Sequence, residues 1–133
     1  MIRSRYCNVI PRMIRSFATF ALTLATAFPA MADGFSPVRD RDQFMTIVEG
    51  RDLRIGLYNL TLNLFPDGQI KGSALGWGIT GEWAWEDGFF CRQMDWSGTA
   101  IPYNCQLVEL REPHTLRFTV DKGAGESASF RVR

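Results

Sequence analysis

From residue 53 onward, apolar and polar residues alternate with a period of two, the pattern of half-buried β-strands. Leu53, Ile55 and Leu57 alternate with Arg54 and Gly56, and Leu60, Leu62 and Leu64 alternate with Thr61 and Asn63. Pro66-Asp67-Gly68 then predicts a turn, because proline fixes φ and glycine supplies a positive φ. Further strands are expected at residues 69–75, around Ile79, Gly81, Trp83 and Trp85 on one face, and at 89–96, 105–110, 115–120 and 127–132. The breaks fall at Glu86-Asp87-Gly88, at a loop over residues 97–104 with Gly98 and Pro102, at Glu112-Pro113-His114, and at Lys122-Gly123-Ala124-Gly125. Before this region the period is helical. Asp40 and Asp42 offer N-cap oxygens, Phe44, Ile47 and Val48 recur one turn apart, and Gly50 can close the end, so residues 42–49 read as a two-turn helix.

About eight short strands, with turn signals between them and no helical pattern to support parallel crossovers, predict an all-β domain with one short N-terminal helix. The economical architecture is a small antiparallel meander barrel, with the helix plugging one end or lying outside; a two-sheet sandwich is the alternative. An eight-stranded barrel has an interior that side chains can fill or that holds one small ligand.

The first 32 residues obey other rules. Residues 1–15 hold four arginines and no acid, residues 16–28 are apolar apart from hydroxyl side chains, and Ala30-Met31-Ala32 supplies a small-x-small pattern. This reads as a Sec-type signal peptide cleaved after Ala32, leaving one domain over residues 33–133 that is periplasmic or secreted. A membrane anchor would need roughly 20 apolar residues. Met-Ile-Arg-Ser occurs at both Met1 and Met13, so Met13 is an alternative start.

Removing the leader changes the charge. Residues 33–133 hold 11 basic and 14 acidic side chains, a net of −3, together with all 12 glycines and all four tryptophans. That balance argues against a nucleic-acid binder and against a disordered tail. Two cysteines remain, Cys91 and Cys105, and an even pair in an exported domain is expected to form one disulfide closing a 15-residue loop. Their spacing matches no zinc or redox motif, and His114 is the single histidine, so neither a metal site nor a cofactor is expected.

Gly76-Trp77-Gly78-Ile79-Thr80-Gly81 matches G-x-G-x-x-G, but the dinucleotide motif requires these glycines to open a helix. The next residues are instead the alternating Glu82-Trp83-Ala84-Trp85-Glu86. The glycines at 72, 76, 78 and 81 are better read as places where a bent strand crosses a crowded corner, or where Trp77 and Trp83 pack over the backbone.

The densest constellation runs through Gly81, Trp83, Trp85, Asp87, Gly88, Cys91 and Arg92, and on to Cys105 and Gln106. With these residues the chain resembles, over about residues 35–133, a loose set of small exported proteobacterial proteins that share a G-x-W-x-W-x-D-G-x-x-C-R hairpin and a second cysteine followed by glutamine. The resemblance implies a lipocalin-like barrel and no particular activity. Some members carry the label dihydrodipicolinate reductase. That enzyme needs a nucleotide fold and a histidine- and lysine-rich stretch, whereas this chain has one histidine, His114, in a turn, and two lysines, Lys71 and Lys122, neither of them beside it.

The candidate ligand-binding residues are Trp77, Trp83, Trp85, Arg92 and Trp96. Trp83 and Trp85 share a face, which makes them core or barrel-lining residues, or a stacking platform for a flat ligand. Arg92 is expected to serve as an ion-pair partner or as a cation-π donor to a tryptophan; the alternative is an anion contact. Glu82, Glu86, Asp87 and Asp95 suggest glycosidase-like acid/base chemistry only if two of them meet in a cleft. The reading the residues favour is a noncatalytic binding or interaction module for a small molecule, a glycan or an envelope protein. An inhibitor of a wall-degrading enzyme, wedging with the 97–104 loop, would belong to this class. The alternatives are a structural or stress-related envelope protein without a ligand and, further off, an enzyme.

Overall fold

The computed structural model describes residues 33–133. The expected leader, its cleavage after Ala32 and the alternative start at Met13 lie outside the described residues. The described residues, 33–133, lie within one compact unit.

Helix α1 spans Arg41–Val48. Asp40 is its N-cap, in extended conformation, and its carboxylate accepts from the Gln43 N–H at 2.8 Å. Gln43 answers through Oε1, which accepts from the Arg39 N–H at 2.9 Å, so two backbone donors at the helix entry are satisfied reciprocally. Gly50 ends the segment at φ +68°. Replacing Asp40 by alanine should cost about 1 kcal/mol, and by glycine only a few tenths, in urea unfolding; equal losses would show that the carboxylate does not act as the cap.

The strands are β1 (Ser36–Pro37), β2 (Leu53–Ile55), β3 (Leu60–Leu64), β4 (Gln69–Ala74), β5 (Trp77–Glu86), β6 (Phe89–Trp96), β7 (Thr99–Arg111), β8 (Thr115–Thr119) and β9 (Ser127–Val132). Consecutive strands from β2 to β9 pair antiparallel, and β9 pairs back onto β2, which closes an eight-stranded barrel. The two-residue β1 is an extra strand laid on Glu109 and Leu110 of β7. Closure leaves no open edge between two sheets, so the sandwich alternative is excluded.

Tight turns make the meander possible. Leu75-Gly76, Asp87-Gly88 and Ser97-Gly98 all have positive φ at both central residues, the form whose twist matches a two-residue hairpin. The expected 97–104 loop is therefore reduced to Ser97-Gly98, and the wedge it was to provide does not exist. Thr99 onward is strand because β7 is long enough to pair first with β6 and then with β8. Pro102 sits where the β6–β7 register shifts between Arg92 and Met94, a bulge that tolerates the missing N–H. Leu57 also departs from expectation. It lies in a 3₁₀ turn over Gly56–Tyr58, with 82% of its surface exposed, because the chain turns before a third β2 alternation can be paired.

Two inner glycines explain how the barrel bends. A Cβ at Gly72 would come within 2.1 Å of the Thr61 carbonyl oxygen, and one at Gly81 within 2.4 Å of the Gln93 carbonyl oxygen. β4 therefore lies close against β3, and β5 against β6, in keeping with the crowded corner expected of these glycines. Gly78 has open space around it, and Trp77 does not pack over the backbone but stands exposed.

The hairpin order sorts the connections to two ends. The β3–β4, β5–β6 and β7–β8 turns lie at one end with α1, and the β2–β3, β4–β5, β6–β7 and β8–β9 connections lie at the other. At the first end α1 drives Phe44 into the barrel. Phe44 is fully buried, and its ring lies 5.1–6.3 Å from those of Trp83, Trp85, Phe90 and Phe118. Arg41 moors the helix by donating to the Pro66 carbonyl at 2.6 Å while its guanidinium lies 5.4 Å over Trp83. The helix is thus a plug, not an external decoration.

Candidate functional site

The plugged half of the barrel is filled, and the other half is hollow. A cavity of about 300 Å³ is walled by Leu53, Leu62 and Ile70 on one side and by Phe90, Phe118 and Phe130 on the other. This volume is at the lower end of the range for small-ligand pockets. Val120, Glu126 and Ser127 border it at the β8–β9 connection, on the unplugged end.

Two polar side chains enter this apolar space from the β6–β7 ladder. Cys91 lies directly opposite Cys105, and the two form a disulfide. Phe90 pairs with Gln106, and Arg92 pairs with Trp83 on one side and Asn104 on the other. Trp83 and Phe90 are core residues, so the register turns Arg92 and Gln106 inward while the cysteines between them belong to the other face. The disulfide thus fixes the register that sets Arg92 and Gln106 diagonally from each other across neighbouring strands.

Arg92 donates to the Pro102 carbonyl at 2.7 Å. Among the described residues it makes no ion pair, and burial pushes its pKa below the ordinary arginine value. Its expected roles are corrected on both counts: among the described residues no carboxylate pairs with it, although Glu126 borders the same cavity, and the cation over Trp83 is Arg41. A guanidinium remains charged under this shift, so the cavity contains a partly desolvated positive charge satisfied so far by one carbonyl. Gln106 is buried, 8% exposed.

Of the five candidate residues, Arg92 alone is in the cavity wall. Trp83 is buried in the plug and donates its indole N–H to the Phe65 carbonyl at 3.0 Å. Trp85 packs on Phe44, and its buried indole N–H has no partner among the described residues. Trp96 is half-buried and donates to the Ala74 carbonyl at 3.1 Å. Trp77 is 62% exposed at the unplugged rim. The tryptophans therefore form no common platform. Met94, Phe118 and Phe130 carry no local signal that marks them as ligand contacts, although the last two fit the inward alternation of β8 and β9, and Gln106 is marked only by following Cys105.

The acidic residues do not converge. Glu82 and Glu86 alternate with the inward Trp83 and Trp85 and so face outward, Asp87 occupies a turn, and Asp95 accepts from the Gly98 N–H at 2.7 Å. Glu86 lies near both cysteine sulfurs, with its carboxylate accepting from the Tyr103 hydroxyl at 2.9 Å. That hydrogen bond raises the Tyr103 pKa. Because the sulfurs are joined to each other, the group lacks the thiolates that would make it a metal site. The G-x-G-x-x-G glycines lie in a turn and along β5, with no helix opening behind them.

The fold and cavity define a class: a closed antiparallel eight-stranded barrel, plugged at one end and hollow at the other. Compared with protein-family models, with curated proteins and with solved structures, the chain matches none.

Proposed function

We propose that this protein is a noncatalytic, exported binding module whose barrel takes a small amphipathic molecule. The observation that carries this reading is the apolar cavity into which Arg92 and Gln106 project as an adjacent polar pair. The apolar body of the ligand lies among Leu62, Ile70, Phe118 and Phe130, and an anionic or hydrogen-bond-accepting head meets Arg92 and Gln106. A desolvated charge is worth most to a ligand that completes its hydrogen bonds, which favours a carboxylate or phosphate head over a neutral one. A periplasmic or secreted location belongs to this reading. It is supported by the disulfide and by the leader-like first 32 residues, and no helix among the described residues is long and apolar enough to cross a membrane.

Octanoate and octanol are suitable probes, titrated calorimetrically. Octanoate should bind the parent chain, and Arg92→Leu should weaken it by about tenfold or more while leaving octanol nearly unchanged, as expected for losing a hydrogen bond to a charged group. Native mass spectrometry of protein purified from its own cells should show a copurifying mass. Absence of that mass, together with no binding of either probe, would sink the proposal in favour of a ligand-free envelope protein.

A further inference from the structure

The unplugged rim presents large apolar side chains where turns are ordinarily polar. Leu57 and Tyr58 occupy the β2–β3 connection, and Leu75 and Trp77 flank the β4–β5 turn; all four are more than half exposed. The two connections are joined, since the Leu75 N–H donates to the Tyr58 carbonyl at 3.0 Å. Leu75 has φ +51°, in a turn position that Asn, Asp or Gly occupies without cost. The equivalent residue of the β5–β6 turn, at the plugged end, is Asp87. A leucine in a left-handed position, with its side chain in solvent, is explained neither by the fold nor by the core.

Behind this rim the outer wall is basic. Arg54 of β2 stands directly opposite Arg131 of β9, a like-charge pair that the ladder alone disfavours. Arg133 lies two residues further on, and the three arginines share a groove with Gly56 and Asn59 of the rim connection. Asp52 pairs with Arg54; among the described residues no carboxylate pairs with Arg131 or Arg133. Other acids at this end are turned to structural tasks: Asp95 caps the β6–β7 turn, and Asp121 accepts from Asn104 at 2.7 Å. Glu126 lies by the cavity on the β8–β9 side.

We propose that this rim docks onto an anionic lipid surface, with Leu57, Tyr58, Leu75 and Trp77 entering the headgroup boundary and Arg54 and Arg131 meeting lipid phosphates. The dimensions agree. Arg54 is three residues behind Leu57, and because Gly56–Tyr58 is a turn the two lie at most about 10 Å apart, the fully extended limit; interfacial apolar groups sink about 5–10 Å. The apolar row with tyrosine and tryptophan suits the interface, and unpaired arginines beside it suit phosphate rather than a second copy of the same basic face. The mouth of the cavity shares this end of the barrel, so docking would bring it to the lipid. The docking surface itself does not depend on the cavity being a binding site.

The test is cosedimentation of the 33–133 barrel, which lies within the compact unit, with vesicles of phosphatidylcholine alone or containing about one-third phosphatidylglycerol. Binding is expected to the anionic vesicles, to weaken at high salt, and to shift the Trp77 emission to the blue. Removing the charge nearest the rim as Arg131→Gln should lower partitioning by about fivefold, whereas Arg133→Gln, two residues further from the rim along β9, should lower it less. The Leu57→Ser, Trp77→Ser variant should abolish it. Unchanged thermal melts would show that the variants fold, and unchanged octanoate affinity would separate this surface from the cavity. Equal binding to both vesicle types, or no binding to either, overturns the proposal. Concentration-dependent dimers in place of vesicle binding would overturn it too and assign the rim to a second copy. Octanoate binding without vesicle binding would leave the cavity reading standing and remove this one, and the reverse result would do the opposite.

Discussion

Replacing Phe44 by alanine is expected to destabilise the barrel by about 3–5 kcal/mol, the range for a large aromatic lost from a packed core. The effect is large because this one side chain, delivered by a two-turn helix, touches Trp83, Trp85, Phe90 and Phe118 at once. For a domain whose total stability is of the order of 5–15 kcal/mol, the loss takes about a fifth of it or more. Phe90 and Phe118 also wall the cavity, so the void left by the ring adjoins the existing hollow. Urea unfolding followed by tryptophan fluorescence measures the cost. A loss below about 1 kcal/mol, ordinary for a surface change, would mean that the helix does not plug the barrel in solution.

The second large effect belongs to the disulfide. Reducing it, or replacing both residues as Cys91→Ala and Cys105→Ala, should lower stability by about 3 kcal/mol, the chain-entropy value for a 15-residue loop. The β6–β7 ladder pairs these strands on both sides of Cys91, so the reduced chain should still fold to the same β-rich circular dichroism spectrum. Comparing urea midpoints of oxidised and reduced protein gives the number. A nonreducing mass equal to that of the fully reduced chain, or coincident midpoints, would remove the bridge from the account of stability.

How much of this is legible in the residues differs by level. The helix expected at 42–49 lies within one residue of Arg41–Val48, because Asp40, Gly50 and the Phe44–Val48 spacing act locally. Asp87-Gly88 reads as a turn for the same reason, while Leu75-Gly76 does not, because leucine carries no turn signal. Residues 97–104 read as loop because Gly98 and Pro102 are local breakers. A bulge and a long pairing partner override them, and no short window contains that information. The site is less legible still. Four tryptophans draw attention by size, yet size says only that a side chain is buried somewhere. Trp83 and Trp85 belong to the plug, Trp96 reaches a carbonyl on β4, and Trp77 stands at the rim. Arg92 and Gln106 each come directly after a cysteine, and that pairing is the one sequence clue to the cavity.

By itself the sequence determined what depends on neighbours within a few residues: the period of each strand, the helix and its cap, most turns, and through cysteine count the bridge. Tertiary structure decided the rest, because barrel closure sets which face of every strand is inside. Only then does a helix become a plug, a register put Arg92 beside Gln106 in an apolar space, and two distant connections bring Tyr58 to Leu75 at an exposed rim. Those relations join residues far apart in the chain, and they exist only once β9 has paired with β2.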